Sequence, residues 1–373
     1  MSDVSNRLIL IGGGHSHVAV LADWIRGGLP DAEIALISPS SHLRYSGMVP
    51  GWISGEYGRD EGLLDIAALA KRAGIRFVQD SCTAIDPDAG TVCTAAGHSF
   101  KFDFCSINVG GVGRASEVLG TDQRIIDVRP IGGFVERLTQ WQSEKGSDIR
   151  QVTVVGGGAG GVELAFALRN RLEETGSRIR LIAGAAGLLP EFASSVRKAV
   201  GAELAAQSID LIEQDAGRVS EVLIPGSGQF GSDDLIVAAL GSGAPNWPRQ
   251  GGLAADKSGF IAVDRFQRSV SHPKVFAVGD IASRQDRNVP HSGVHAVHTG
   301  PVLAANLRSV LQGEYPARSY TPRPTSLYLI STGNGLAIAS YGPFAAKGRW
   351  VAKLKRRIDK GWIATYAKMA HDQ

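Results

Sequence analysis

The stretch Val152-Thr-Val-Val-Gly-Gly-Gly-Ala-Gly-Gly-Val-Glu163 limits what this chain can fold into more than any other. A short β-branched run ends at Val155. A turn then carries Gly156, Gly158 and Gly161 in the G-x-G-x-x-G frame, and an apolar helix opens at Val162. The spacing has a chemical reason. The first glycine makes the tight turn, the second lets backbone approach a pyrophosphate, and the third lets helix and strand pack closely. The phosphates then face the unpaired N–H groups of a helix N-terminus. One such motif is weak, since ordinary loops also produce it. The weight comes from a second copy, Arg7-Leu-Ile-Leu-Ile-Gly-Gly-Gly-His-Ser-His-Val18. Two strand–glycine–helix units imply two dinucleotides, or one bound across two sites.

A chain of 373 residues has room for about two to three domains. Hydrophobic content of 43% and charged content of 20% describe a soluble globular protein with sizeable cores. A net charge of +3 is too small to suggest nucleic acid as a partner. No apolar run reaches the roughly 18 residues that span a bilayer. Asp3 and the interrupted apolar run do not read as a signal peptide. The three cysteines, Cys82, Cys93 and Cys105, form no C-x-x-C or C-x4-C pair, which fits a reducing cytoplasm.

In the first unit, Arg7–Ile11 and Glu33–Ser38 read as parallel strands flanking a helix from about His15 to Trp24. An acid usually ends the second strand of such a unit and holds a ribose. Ser38 stands there instead, and His17 stands in place of the third glycine. The i, i+2 spacing of His15 and His17 points them apart on a helix, so no metal site is read. The turn-rich segment from Ser38 to Gly51 includes Arg44, Ser46 and Gly47, and is expected to wall a cofactor pocket. Asp65 reads as the N-cap of a helix ending before Gly74. Thr91–Cys93 and Ser99–Ile107 read as strands of a small antiparallel layer. Asn108-Val-Gly110 closes the last of them with a turn suited to close approach.

The second unit continues with a helix to about Leu172 and a strand Arg180–Ile182. Its terminal acid is missing too, because Ala183 and Gly184 follow. With no acid there, and with Arg178 and Arg180 nearby, weak discrimination between NAD and NADP is expected. Further on, Lys274-Val-Phe-Ala-Val-Gly-Asp-Ile281 delivers Gly279 and Asp280 to a sheet edge, where a carboxylate can accept from ribityl or ribose hydroxyls. The tail segment from Trp350 to Ile358 sets Trp350, Leu354 and Ile358 on one stripe among Lys353, Lys355, Arg356 and Arg357. Such a helix suits an anionic membrane surface. It suits equally a helix that packs its stripe on the body, and packing is the favoured expectation.

Taken together, Gly12–Gly14, the Asn108-Val-Gly110 closure, Gly156–Glu163 and Val278-Gly-Asp280 resemble the two-dinucleotide-domain flavoproteins of the pyridine nucleotide oxidoreductase superfamily. The absent cysteine pair points away from disulfide reductases and towards type II NADH dehydrogenases and sulfide:quinone reductases. Closer still, Gly12-Gly-Gly-His-Ser-His-Val18, Tyr45-Ser-Gly-Met-Val-Pro-Gly51 and the segment from Ser331 to Asp359 resemble the flavoprotein module fused to selenide, water dikinase in some bacteria. The kinase half is absent from this sequence.

The resemblance implies an α/β chain with two Rossmann-like domains. Residues 1–115 and 246–315 would bind FAD, the nicotinamide domain 116–245 would be inserted between them, and 316–373 would form a C-terminal α+β tail. Gly12, Gly13, Gly14 and His15 would meet the FAD pyrophosphate, with Ser38, Arg44, Ser46, Gly47 and Gly110 along the same cofactor. Gly279 and Asp280 would face the ribityl side, and Ser292 and Gly293 the pyrimidine edge. Gly156, Gly158 and Gly161 would hold NAD(P)H, with Glu163 near the nicotinamide or serving the helix dipole.

Hydride transfer asks the protein for orientation and electrostatics rather than for an acid or base. The acceptor half is less marked. Where type II dehydrogenases carry a glutamine-rich quinone segment, Val294 and His298 replace both glutamines. His298 is a candidate donor to an acceptor oxygen, or else a satisfied core group. No cysteine follows Cys105, which disfavours sulfide chemistry. The implied partner is a small, quinone-like electron acceptor. The implied location is cytoplasmic, with peripheral contact at the inner membrane face left open by the basic tail. The rival reading is a nucleotide-sensing interaction module in which FAD is structural.

Overall fold

Two largely apolar strands, Asn6–Ile11 and Gln151–Val155, each take the centre of a five-stranded sheet. The computed structural model describes residues 6–145, 149–217, 223–224, 228–229 and 233–371. In the first sheet the strands run Val275–Ala277, Phe104–Ile107, Asn6–Ile11, Ala32–Ser38 and Arg76–Gln79, all parallel. The second sheet repeats the pattern with Ile125–Asp127, Leu235–Ala238, Gln151–Val155, Arg178–Ile182 and Ile209–Ile212. Parallel sheets are covered on both faces, which is why their strands read as unbroken apolar runs. In both sheets the strand order reverses beside the central strand. Each glycine turn therefore sits at a topological switch point, where open α/β sheets bind ligands.

The second sheet lies in the chain between two neighbours of the first, Phe104–Ile107 and Val275–Ala277. The nicotinamide-type unit is therefore an insertion into the other. The helix His15–Gly27 crosses the helix Gly293–Leu311 closely: a Cβ on Gly300 would stand 2.5 Å from Ala19 Cβ.

One strand assignment is corrected. Ser99–Lys101 pairs antiparallel with Thr91–Thr94, but Phe104–Ile107 leaves that layer and joins the parallel sheet beside Asn6–Ile11. Asp103 makes the switch. Its side chain accepts from Arg7 N–H at 2.8 Å, and its own N–H donates to Arg7 O at 2.9 Å. Cys105, inside that strand, is fully buried. Asp65 caps the helix Ile66–Arg72 as expected, accepting from Ala68 N–H at 2.8 Å.

The tail folds as a three-stranded antiparallel sheet, Tyr328–Ser331, Ala337–Tyr341 and Phe344–Gly348, followed by the helix Arg349–His371. Its inward face runs Val351, Lys355, Asp359, Trp362, Tyr366 and Ala370, one residue out of step with the expected stripe. Trp350 is 59% exposed and Ile358 46% exposed, and only Leu354 of the expected stripe is half-buried, so the stripe as a whole does not pack on the body. The inner face can tolerate Lys355 and Asp359 because each satisfies the other there.

Candidate active site at the two glycine turns

The first turn is shaped by the chain's own packing. Gly12 adopts φ +90°, and a Cβ there would lie 2.5 Å from Asn108 O. A Cβ on Gly13 would fall 2.1 Å from Ile66 Cδ1, and one on Gly14 2.3 Å from Asn108 Oδ1. Asn108 is the hub. Its Oδ1 accepts from the N–H groups of Ser16 and His17 at 3.2 and 3.3 Å, and its Nδ2 donates to Val278 O at 2.8 Å. One amide thus ties a helix N-terminus to the strand end that delivers Gly279. The sequence reading placed Asn108 only in a closing turn; a polar residue directly after a buried strand was the available signal. His17, in the third-glycine position, is buried with Nδ1 2.6 Å from Gly12 O and Nε2 2.9 Å from Ser106 Oγ. Burial pushes its pKa down to about 4, so the ring is neutral.

Gly279 leans on the same hub, with φ +72° and a Cβ position 2.7 Å from Asn108 Nδ2. The neighbouring Asp280 is nearly buried, and its Oδ2 accepts from Arg129 Nη2 at 2.8 Å. Arg129 follows the edge strand of the second sheet, so this pair joins the two units; sequence reading missed it. A Cβ on Gly110 would stand 4.0 Å from Arg129 Nη1. Across the site, a Cβ on Gly293 would lie 4.0 Å from Ser46 Oγ. Ser38 Oγ donates to Ser40 O, and Arg44 Nη1 to Arg59 O, so both polar groups serve the wall loop itself.

Two buried polar atoms beside these turns, His15 Nε2 and Ser292 Oγ, have no hydrogen-bond partner among the described residues. Each sits at the N-terminus of a helix, one at His15–Gly27 and one at Gly293–Leu311. Buried polar groups are normally paired, and helix N-termini favour anionic or electron-rich groups. The orphaned atoms and the glycine cradle fit a polar dinucleotide such as FAD. The His15 ring packs on Tyr45 and Trp362 at centroid distances of 5.5 and 5.1 Å, and burial pushes its pKa down to about 4.

The second turn separates its glycines by role. A Cβ on Gly156 would lie 2.1 Å from Ala239 O, and one on Gly161 2.0 Å from Gly156 O. A Cβ on Gly158 would meet nothing within 4 Å. Gly158 is therefore the one of the three that internal packing does not demand, which fits a phosphate lying against the backbone. The two arginines expected to attract a 2′-phosphate are placed elsewhere. Arg180 is buried, with Nη2 donating to both Asp233 oxygens at 2.9 and 2.8 Å. Arg178 begins its strand, at the edge of the sheet opposite the turn.

Glu163 reaches out of its own domain. Its Oε1 accepts from Ser331 N–H at 2.9 Å and lies 3.8 Å from Lys355 Nζ. Lys355 Nζ also donates to Asp359 Oδ2 at 3.1 Å and to Gly47 O at 3.0 Å. Burial raises the pKa of Glu163 and of Asp359, against the opposing pull of Lys355. Burial alone would lower Lys355, but Glu163 and Asp359 outweigh it and hold the ammonium above its usual range. The Tyr45 phenol is raised by burial and by Asp359, and its ring stacks on Trp362 at 4.8 Å. Glu163, Gly47 and His15 are thus gathered around the tail helix, which sequence reading had assigned no part in the site.

His298 is not among them. It is exposed on its helix and, among the described residues, shares no hydrogen bond or ion pair with the cluster. The buried histidine of that segment is His295, whose Nδ1 lies 2.7 Å from Tyr320 Oη and whose pKa is lowered by burial.

Two dinucleotide cradles, one inserted in the other and joined by a C-terminal cap, define a two-domain nucleotide-dependent flavoprotein. The chain belongs to the pyridine nucleotide-disulphide oxidoreductase family, whose model matches residues 6–300. It is an FAD-dependent oxidoreductase that uses NAD(P)H. It is similar to the type II NADH:quinone oxidoreductase of Staphylococcus aureus strain NCTC 8325, 23% identical over 390 residues, covering 96% of this chain and 95% of the relative. In structure it is similar to the sulfide:quinone oxidoreductase of Aquifex aeolicus, with a TM-score of 0.80 at 18% identity over 98% and 92% of the two chains. The Plasmodium falciparum NDH2 bound to NADH gives 0.76 at 14% identity, covering 97% of each.

Proposed function

We propose that the protein oxidises NAD(P)H and passes the electrons to a quinone-like acceptor. The observation that carries this is the cluster Glu163, Lys355, Asp359 and Tyr45, set where the second glycine turn, the wall loop and the tail meet. Bound FAD would supply the two-electron carrier between the nicotinamide hydride donor and the acceptor. Gly12, Gly13, Gly14, Gly279 and Asp280 would hold it in the first domain, with His15 Nε2, Ser292 Oγ, Ser46 and Gly293 available around the same cradle. Gly156, Gly158 and Gly161 hold the nicotinamide nucleotide in the domain 116–245. Reducing a quinone consumes protons, and burial raises the pKa of both carboxylates beside the ammonium, which suits them to carry a proton. Glu163, in the helix that follows the second glycine turn, and Asp359, beside Tyr45, are the groups suited to carry it. The quinone acceptor is supported by the names of the Staphylococcus aureus relative and the Aquifex aeolicus neighbour.

The tail also supports a peripheral position on a membrane. Tyr341, Phe344, Trp350 and Ile358 are exposed, and Lys347, Arg349, Lys353, Arg356 and Arg357 surround them in sequence. Among the described residues, no helix is long and apolar enough to cross a membrane. Aromatic and basic groups together suit an anionic lipid surface.

Anaerobic titration tests the activity. NADH or NADPH should bleach the yellow protein, and a short-chain ubiquinone should restore its colour within one turnover. Bleaching too slow for turnover would favour the nucleotide-sensing module. Recovery with other acceptors but not with quinone would remove the quinone assignment.

A further inference from the structure

The loop after the strand Arg178–Ile182 lies against the second glycine turn. Gly156 N–H donates to Ile182 O at 2.8 Å, and a Cβ on Gly157 would lie 2.6 Å from Ala183 O. In dinucleotide folds an acid at this strand end accepts from the adenosine ribose 2′-hydroxyl and repels a 2′-phosphate. This strand ends in Ala183 and Gly184. A carboxylate nevertheless reaches the place from the neighbouring strand. Ile209–Ile212 pairs in parallel with Arg178–Ile182, and the residues after it turn back over the same loop. Asp215 Oδ1 accepts from Ala185 N–H at 2.8 Å and would stand 3.3 Å from a Cβ on Gly184. Glu213 Oε1 accepts from Leu188 N–H at 2.9 Å.

We propose that Asp215 selects NADH over NADPH, by accepting from the ribose hydroxyls and repelling a 2′-phosphate. One Asp215 oxygen fixes the loop, and the other, which has no hydrogen-bond partner among the described residues, would meet the ribose. Glu213 pins the far side of the same loop and adds a second negative charge. Residues 183–189 of the loop itself include no lysine or arginine, and Arg180 is committed to Asp233. The ligand is placed independently of the acids, by the glycine turn whose Gly158 the packing leaves open. The inference rests on the reading that this turn holds the nicotinamide nucleotide. It replaces the weak discrimination expected from the strand end alone.

Both acids are exposed, so salt screens the repulsion and sets its scale. A preference for NADH of at least about tenfold is expected, equivalent to about 1.4 kcal/mol.

The test uses holoprotein and two fragments that need no turnover, ADP-ribose and 2′-phospho-ADP-ribose, with binding read by calorimetry. Wild type should bind ADP-ribose at least about tenfold tighter, with the gap narrowing as salt rises. Asp215→Asn keeps an acceptor for Ala185 N–H and removes the charge. It should bring the two ligands within about threefold by strengthening the phosphorylated one, with the melting temperature unchanged. Flavin reduction by NADPH should rise in parallel, while reduction by NADH at limiting nucleotide should fall modestly as the charged ribose acceptor is lost. Equal affinities in wild type would overturn the proposal. So would a preference that survives in both Asp215→Asn and the Glu213→Gln/Asp215→Asn double variant, or failure of ADP-ribose to bind. If the fragments discriminate as expected yet neither nicotinamide reduces the flavin, the oxidoreductase reading fails and the role of Asp215 stands.

Discussion

Lys355 Nζ stands 3.8 Å from Glu163 Oε1, linking the tail helix to the first turns of the helix that opens the second dinucleotide motif. Both side chains are largely buried, and Asp359 lies on the other side of the ammonium at 3.1 Å. Removing one partner of such a group leaves buried charge uncompensated, at a cost of about 3 kcal/mol. Lys355→Met should therefore lower stability by roughly that amount and slow reduction of the acceptor, as read by chemical unfolding and stopped-flow. A variant as stable and as fast as wild type would show that the cluster is inert.

The pH dependence of that loss has a defined sign. Glu163 and Asp359 have raised pKa values, chiefly through burial, so the fold favours their neutral forms. Their contribution is present in acid and lost as pH rises through the folded pKa. Without Lys355 to oppose burial, that loss deepens. The stability gap between Lys355→Met and wild type should widen from about pH 5 to about pH 8. A gap that is constant, or larger in acid, would contradict the carboxylate assignment.

The buried histidines act in the opposite direction. His15 and His17 fall from 6.5 to about 4, mainly through burial. A depressed histidine contributes stability above its unfolded pKa and loses it as pH falls towards the folded value. At about 1.36 kcal/mol per pH unit, each ring costs roughly 3 kcal/mol by the time it protonates. Between about pH 6.5 and 4 these two rings should contribute close to two protons to the uptake on unfolding. His17→Gln should remove about one of them, as read from the slope of stability against pH.

The glycines of the second turn separate ligand binding from folding. Gly158→Ala should fold within about 0.5 kcal/mol of wild type, since its Cβ meets nothing within 4 Å and its backbone is extended. Its affinity for ADP-ribose should nevertheless fall at least about tenfold. Gly156→Ala, at φ +136° and 2.1 Å from Ala239 O, should instead lose the fold. Equal nucleotide affinity in Gly158→Ala and wild type would detach that turn from the nucleotide.

Both sheets were legible because each central strand is a β-branched or aliphatic run ending in a glycine turn, and those signals are local. The strands Ile125–Asp127 and Ile209–Ile212 were missed because they are short and carry Asp127 and Asp210. Ser99–Ile107 was read as one layer because its switch depends on Asp103 meeting Arg7, a contact made across the fold. The glycine positions of the candidate site were visible in the same way. Asn108, Arg129, Lys355 and Asp215 were not, since each acts through a partner far away in sequence. The tail was misphased for a related reason. Its hydrophobic stripe is the outer face, and its inner face is polar at Lys355 and Asp359, which only Glu163 and Tyr45 make intelligible.

That inversion fixes the behaviour expected of the tail. Val351 is fully buried, whereas Trp350 and Ile358 are exposed among basic residues. Val351→Asp should bury an unpaired charge and destabilise the protein by about 3 kcal/mol or more. Trp350→Asp/Ile358→Asp should leave stability within about 0.5 kcal/mol, because neither side chain is buried. If the exposed stripe meets lipid, wild type should pellet with phosphatidylglycerol vesicles at low salt and release as salt rises, since basic residues supply part of the attraction. The double variant should then stay in the supernatant while keeping its flavin and its melting temperature. Wild type that ignores the vesicles at every salt concentration would remove the membrane from the reading, and a double variant that melts early would restore the stripe to the core.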